Sequence, residues 1–275
     1  MKKLLKVGDQ EIGEEDLSSL LVQYQMLPNL AQNILIDQVI AEQECTEEEK
    51  QQEINKFYQQ NKLTEEELPE WLEKNHITKE QWEKLVLRKL KLDKFKKAHW
   101  GNKLESYFLK RKIQLDRVVY SLFRTDDGGA AQEFYFRLQE GEITFKELAQ
   151  KYSKGSEAET GGILGPVEVT VPHPRIAHLL RTSKPGEILP PTPIENWWVI
   201  VRLENFLAAE LDEQMEQRLL NEQFQMWLKE QIQEKVTLFP QAEIKTSLPE
   251  KVNEEFSKNQ ENLLTKEKTI SQISE

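Results

Sequence analysis

The chain has 275 residues, of which 38% are hydrophobic and 31% are charged, and its net charge is −11 at pH 7. This length is enough for about two domains. The negative charge argues against nucleic acid as a partner, because phosphate binding needs a basic surface, and it disfavours adhesion to anionic lipid. The single cysteine, Cys45, excludes an internal disulfide, and we predict neither a metal site nor a cofactor.

The N-terminus begins with a basic stretch that resembles the start of a signal peptide. Gly8 and Asp9 interrupt the apolar run before the h-region of about 7–15 residues can form. No apolar run elsewhere approaches the roughly 18 residues of a membrane span, so we predict no membrane insertion. From the absence of both signals we predict a cytoplasmic protein.

Residues 1–112 carry the patterns of a helical domain that opens with a small hairpin around the turn at Gly8. Capping boxes at Thr46, Thr64 and Thr78, each with Glu or Gln three residues later, predict three helix starts. The helix that begins at Thr78 is predicted to be the longest. This region contains no catalytic motif of its own.

The most informative stretch is 141–165. Thr144 and Glu147 form a capping box, and the apolar residues that follow keep helical spacing as far as Tyr152, which predicts a short amphipathic helix. A polar loop comes next. The sequence Gly-Gly-Ile-Leu-Gly at 161–165 then predicts a short buried strand that other backbone approaches closely.

This ordered series resembles the parvulin-type peptidyl-prolyl isomerases, whose domain carries F-x-x-L-A-x-x-Y-S, a short polar loop and G-G-x-L-G. The resemblance extends from about Ile113 to Phe206, with further elements at 118–123, 130–139, 174–180, 185–188 and 197–203. It implies an α+β domain at 113–207, in which helices surround an antiparallel sheet.

The flanking segments are similar to those of the SurA and PrsA chaperones, which open with a V-x-G-x-x-I hairpin like that at 7–12. The similarity implies that the parvulin-like domain is inserted in a mainly α-helical body, and that a helix and a short strand at 208–240 pack on the N-terminal domain. A dimerisation or linker module is the alternative for the helical domain. The composition of 241–275 predicts a disordered tail.

Catalysis of proline isomerisation requires polar groups that favour the twisted amide, because rotation of the peptide bond faces a barrier of about 18–20 kcal/mol. Parvulins resemble one another in placing two histidines and a Cys or Asp around an apolar socket. The corresponding positions here are Tyr120, Val199 and Gly155. Tyr120 is the remaining catalytic candidate, and the substitutions imply that isomerase activity is weak or lost.

The resemblance also indicates which residues would form the socket and its rim. These substrate-binding candidates are Leu164, Pro172, His173, Ile176, Thr192, Asn196 and Val199. Thr192 and Asn196 are predicted to lie in a loop that flanks the pocket. Each candidate also fits an ordinary packing role, since most apolar residues in periodic patterns belong to the core.

Two functional hypotheses follow. The first is a folding helper for unfolded or proline-containing polypeptide clients, with residual or no isomerase activity. The second is a non-catalytic adaptor that docks one specific partner, such as a component of an export machine. Exposed apolar faces on the N-terminal helices would indicate clients, whereas buried faces would indicate a scaffold.

Overall fold

The computed structural model describes residues 3–237, and the chain forms two compact units. One unit takes residues up to Leu92 and from Met226 onward, and the other takes Asp93–Gln225. The first unit contains strands β1 (Lys3–Val7) and β2 (Gln10–Gly13) and helices α1 (Glu14–Gln23), α2 (Leu27–Ile40), α3 (Glu47–Asn61) and α4 (Leu68–Lys74). Helices α5 (Lys79–Trp100) and α10 (Glu213–Lys235) contribute to both units. The second unit contains α6 (Leu104–Leu115), β3 (Arg117–Thr125), α7 (Gly128–Gln139), α8 (Phe145–Tyr152), β4 (Ile163–Glu168), α9 (Pro174–Thr182), β5 (Thr192–Ile194) and β6 (Trp197–Leu207).

Side-chain caps set several helix starts in the first unit. At the start of α3 the Thr46 hydroxyl accepts a hydrogen bond from the Glu49 N–H at 3.2 Å, and the Glu49 carboxylate accepts one from the Thr46 N–H at 2.8 Å. The same reciprocal pair forms at Thr78 before α5. At Thr64 the backbone N–H bonds the Glu67 carboxylate, but a turn follows and α4 begins only at Leu68. The helix therefore begins three residues later than a cap at Thr64 predicts.

An aromatic cluster packs α3, α4 and α5 in the first unit. Trp82 is 2% exposed, and the ring of Phe57 meets it edge-on at 5.6 Å between centroids. Phe57 also meets Trp71 edge-on at 5.1 Å. Such edge-to-face contacts are a preferred arrangement of aromatic pairs.

The second unit is organised around a four-stranded antiparallel sheet with strand order β4-β3-β6-β5. The central strand β3 places Tyr120 opposite Leu164 on one side and opposite Leu203 on the other. The register between β3 and β6 shifts by one residue between Val119 and Tyr120. Both edge strands are short, which limits unpaired backbone at the sheet edges.

Alternation along the strands gives the sheet two apolar faces. The face covered by α9, called the α9 face, buries Val118, Tyr120, Leu122, Val169, Ile176, Leu180, Leu189, Ile194, Val199, Val201 and Leu203. The opposite face, called the α8 face, packs on α7 and α8 and buries Phe123, Leu138, Ile143, Phe145, Leu148 and Ile200.

The C-terminal helix α10 supplies apolar residues to the second unit. Leu219 and Leu220 pack with Leu104, Phe108 and Leu115 from α6. At its other end Lys235 is helical and residues 236–237 lie outside any strand, so the strand predicted to begin at Lys235 does not start there. The rest of that strand and the tail at 241–275 lie outside the described residues.

The predicted fold class is confirmed, since an antiparallel parvulin-type sheet with surrounding helices lies between mainly helical segments of the chain. None of the described helices is long and apolar enough to cross a membrane. The domain boundaries predicted at 112, 207 and 240 stay predictions.

Candidate functional site

The structure brings four of the predicted socket residues together on the α9 face. Tyr120, Ile176 and Val199 are 6%, 7% and 4% exposed and belong to one apolar cluster, against which the partly buried Leu164 packs. Their burial follows from strand alternation and from the amphipathic helix α9 above them. Tyr120, Ile176 and Val199 are therefore largely closed to a ligand in this conformation, and Leu164 is the partly exposed member of the four.

The other predicted residues lie at the periphery. Pro172 is buried just before α9, whereas His173 is exposed and caps that helix by accepting a hydrogen bond from the Arg175 N–H at Nδ1, 3.2 Å away. Thr192 belongs to strand β5, so its predicted loop position is wrong, while Asn196 is exposed in the turn before β6. His173 and Asn196 are therefore not part of the apolar cluster.

A shallow depression lies between α9 and the edge strand β5. Its volume is about 400 Å³, and it is lined by Pro174, Arg175, His178, Leu179, Thr192 and Pro193. Thr192 is the predicted site residue in this lining. Its hydroxyl donates a hydrogen bond to the Pro190 carbonyl at 3.1 Å, which fixes the side chain locally.

Tyr120 remains a neutral phenol over the physiological range. Burial raises its pKa above the ordinary value near 10, and the nearby carboxylate of Glu157 raises the pKa further. A phenol in this state can donate or accept a hydrogen bond. It cannot exchange a proton near neutral pH as an imidazole does.

A polar cluster on the α9 face was missed by the sequence analysis. Arg124 projects from β3 and pairs with Glu157 in the loop after α8, with Nε 2.9 Å from Oε1 and Nη2 2.6 Å from Oε2. Ser153 donates its hydroxyl to the same carboxylate at 2.5 Å. The available signal was that Arg124 lies four positions after Tyr120, so alternation along a strand places its charge on the same face as Tyr120.

The burial of Glu157 makes its charge dependent on these partners. The residue is 2% exposed, and burial alone would raise its pKa. Hydrogen bonds from Arg124 and Ser153 outweigh that effect and hold the pKa of Glu157 below its ordinary value. The carboxylate is therefore ionised at neutral pH, and the cluster is a charge-neutral pair.

The geometry restricts the chemistry that this face can perform. The α9 face combines apolar side chains with one phenol and one guanidinium–carboxylate pair. All four histidines of the chain lie outside strands β3 to β6. The face offers hydrogen-bond donors and an apolar surface, with no general acid or base tuned near neutral pH.

Comparison with known proteins places this sheet in a family. The family model described as "Rotamase: PPIC-type PPIASE domain" matches residues 125–205. Chaperone SurA of Vibrio cholerae is 32% identical over 123 residues, which is 40% of this chain and 28% of that protein. The matched stretch thus spans only about a quarter of this relative's length.

Two solved structures are also similar to this chain. A peptidylprolyl isomerase (PrsA) of Bacillus anthracis has 19% identity and a TM-score of 0.42, covering 77% of this chain and 99% of its own. A structure of a SurA-like chaperone from Campylobacter jejuni has 16% identity and a TM-score of 0.35. The match covers 87% of this chain and 100% of that chain.

The similarity to SurA contradicts the predicted cytoplasmic location, because SurA and PrsA homologues are periplasmic or extracellular-surface chaperones. The prediction rested on the absence of a signal-peptide pattern from the sequence. Such an absence does not determine the compartment.

The predicted resemblance is confirmed by the family model, which matches the chain from the end of β3 through α9 to β6, and by the similarity to Chaperone SurA. The chain thus carries a match to the PPIC-type peptidyl-prolyl isomerase domain at residues 125–205 and is similar to the SurA chaperones over 40% of its length.

Proposed function

We propose that this protein is a folding helper that binds extended, proline-containing polypeptide segments along the α9 face, and that its isomerase turnover is weak or lost. Leu164 and Trp197, which are partly buried and pack against the cluster that contains Tyr120, would offer an apolar margin to such a segment. Candidate contacts at the rim are Pro172, His173, Thr192 and Asn196, and Ile176 and Val199 form the apolar floor.

The observation that carries the proposal is the composition of the α9 face. Its polar groups in the described structure include the Tyr120 phenol and the pair of Arg124 with Glu157, to which the Ser153 hydroxyl is bound. A twisted prolyl amide is stabilised by groups arranged for its altered carbonyl and nitrogen. A face with an apolar margin and few such groups favours binding over turnover.

Exposed apolar residues in the first unit favour a folding helper that binds many unfolded clients over an adaptor that docks a single partner. Eight large apolar side chains among the described residues 3–34 are at least 40% exposed: Leu4, Leu5, Val7, Leu17, Tyr24, Met26, Leu30 and Ile34. Exposed apolar area of this kind suits binding of unfolded chain. The adaptor hypothesis requires such faces to be buried within a scaffold.

An exchange assay on a set of Xaa-Pro peptides tests the catalytic part of this proposal. The full chain is compared with a parvulin that retains both histidines, by NMR exchange spectroscopy of cis and trans signals. We expect a rate enhancement far below that of the reference enzyme, since about 1.4 kcal/mol of lost transition-state stabilisation is tenfold in rate. A normal parvulin rate would overturn this part of the proposal.

Aggregation assays test the client part. A folding helper is expected to suppress aggregation of several unrelated unfolded proteins at comparable molar ratios. An adaptor is expected to leave their aggregation unchanged and to co-purify with one partner at fixed stoichiometry. The second result would favour the adaptor function.

A further inference from the structure

Arg124 is held rigidly at the margin of the α9 face. Its Nε and Nη2 atoms bind both oxygens of Glu157, and its own backbone N–H donates to the Ser153 hydroxyl at 3.1 Å. The Lys154 N–H donates in turn to the Arg124 carbonyl at 3.0 Å. Side chain and backbone thus fasten the end of β3 to the loop after α8, across 33 residues of sequence.

Gly155 leaves the space that the guanidinium occupies. A Cβ atom at this position would lie 2.0 Å from Arg124 Nε and 2.2 Å from Nη2. Any side chain at Gly155 would therefore displace the guanidinium from its present position. Arg124 can occupy its present position only because residue 155 is a glycine.

The guanidinium keeps donor capacity after its pairing with Glu157. An arginine side chain has five N–H donors and no acceptor. In the described part of the chain Nη1 has no hydrogen-bond partner, and the Arg124 side chain is 32% exposed. The guanidinium lies 5.9 Å from the centroid of the Trp197 ring, which is partly buried and packs against the apolar cluster.

The charge of Arg124 is already balanced. Glu157 is ionised and is bound through both oxygens, so the pair is neutral as a whole. A balanced guanidinium attracts an external carboxylate weakly but still donates a hydrogen bond to a neutral acceptor. The acceptor that recurs at every residue of an extended polypeptide is the main-chain carbonyl oxygen.

We propose that Arg124 is a ligand-binding residue of the α9 face, whose Nη1 donates to a main-chain carbonyl oxygen of the bound segment. Glu157 and Ser153 act as positioning residues, because they fix the guanidinium plane without reaching the ligand. This inference rests on the proposed function, since it assumes that a polypeptide segment binds here. The inference specifies what Arg124 recognises. It binds the main chain of the peptide, and an acidic side chain on the peptide does not strengthen binding.

Peptide titration of a variant that lacks the pair tests the inference. Replacing Arg124 by Met together with Glu157 by Leu removes both charges, and such replacement of a buried pair by apolar residues is often neutral for stability. The probe is a short unfolded peptide with a central Ala-Pro, followed by amide chemical shifts of the full-length protein. We expect the Kd to rise about tenfold, as for the loss of a hydrogen bond to a charged group.

Arg202→Met is the matched control. Arg202 lies on the other face of the same sheet, also pairs with a glutamate, and also lies over an aromatic ring, that of Phe145. Its peptide Kd is expected to stay within about twofold of wild type. Arg124→Lys is a second test variant that keeps the charge beside Glu157 but lacks Nη1, and we expect weakened binding with the fold retained.

The outcomes separate this inference from the proposed function. A wild-type protein that binds no peptide on the α9 face overturns both. A wild-type protein that binds, with folded Arg124 variants that bind within twofold of it, overturns only the role of Arg124. A Glu-Pro peptide that binds more than tenfold tighter than the Ala-Pro peptide overturns the recognition of a neutral carbonyl.

Discussion

The two faces of the sheet carry the same kind of ion pair in different surroundings. On the α9 face Arg124 pairs with Glu157, which is 2% exposed and lies 33 residues away in sequence. On the α8 face Arg202 pairs with Glu204 of the same strand at 2.8 Å, and the Glu204 side chain keeps 26% exposure. The two arginine side chains are about equally exposed, at 32% and 30%.

The comparison indicates that the burial of the carboxylate determines how much stability is lost when its arginine is removed. The presence of an ion pair alone does not determine that loss. A partly hydrated carboxylate retains water when its partner is removed. A buried carboxylate without its partner is an uncompensated charge in a low-dielectric environment. The first pair is therefore a tertiary link between β3 and the loop after α8, whereas the second is a local contact within β6.

Arg124→Ala is expected to have the largest effect on stability. It leaves Glu157 buried without its cation, so we expect a loss of about 3–5 kcal/mol in the free energy of unfolding. Arg202→Ala, on the other face, is expected to cost about 1 kcal/mol or less. Denaturant unfolding of the full chain measures both. Equal losses in the two variants would contradict the distinction between the faces.

Ile176→Ala is expected to have the next largest effect on stability. Ile176 is 7% exposed in the apolar cluster of the α9 face, so truncation opens a cavity and should cost about 2–4 kcal/mol. Ile163, in the edge strand β4, is 50% exposed and serves as the control. Its replacement by Ala is expected to change the unfolding free energy by no more than about 0.5 kcal/mol. A small loss at Ile176 would mean that the cluster is loosely packed.

Most of the fold was predictable because its signals are local. Capping boxes, helical spacing and glycine placement determine α3, α5 and α8 through contacts three or four residues apart. The resemblance to parvulins supplied the order of the strands in the chain. Strand β5 was missed because its three residues lie among prolines, and proline is usual in loops.

The candidate site was less predictable because its polar contacts are long-range. The substitution at Gly155 was interpreted only as the loss of a polar group, although the structure fills that space with the guanidinium of Arg124. Nothing local links Arg124 to Glu157, and the polar loop around Glu157 has the composition of a solvated surface. Only tertiary structure reveals that this glutamate is buried.

Acid is expected to weaken the link on the α9 face. The pKa of Glu157 is lowered in the folded protein, so its stabilising contribution is present above the unfolded value near 4.5 and is lost as pH falls through the folded value. The unfolding free energy of wild type should therefore fall more steeply below about pH 4.5 than that of the variant carrying Arg124→Met and Glu157→Leu. Chemical denaturation at several pH values measures both slopes. Parallel slopes would show that Glu157 does not titrate with a lowered pKa.

Tyr120→Phe is expected to have the smallest effect on stability. Within the described residues the phenol hydroxyl forms no hydrogen bond, and Tyr120 is 6% exposed in the apolar cluster of the α9 face. Removing a hydroxyl that has no internal partner leaves no buried group unsatisfied, so the unfolding free energy should change by no more than about 0.5 kcal/mol.

Tyr120→Phe is expected to change the free energy of peptide binding more than the free energy of unfolding. If the hydroxyl contacts the bound segment, its loss should weaken peptide binding by about 1 kcal/mol, which is roughly fivefold in Kd. Titration with the Ala-Pro peptide measures this change, and thermal unfolding measures stability in the same samples. Unchanged binding would show that Tyr120 contributes only its ring to the apolar cluster, and a large loss of stability would show that the hydroxyl has a structural role. A selective loss of binding would identify Tyr120, with Arg124, as a polar contact for the ligand on a face that is otherwise apolar.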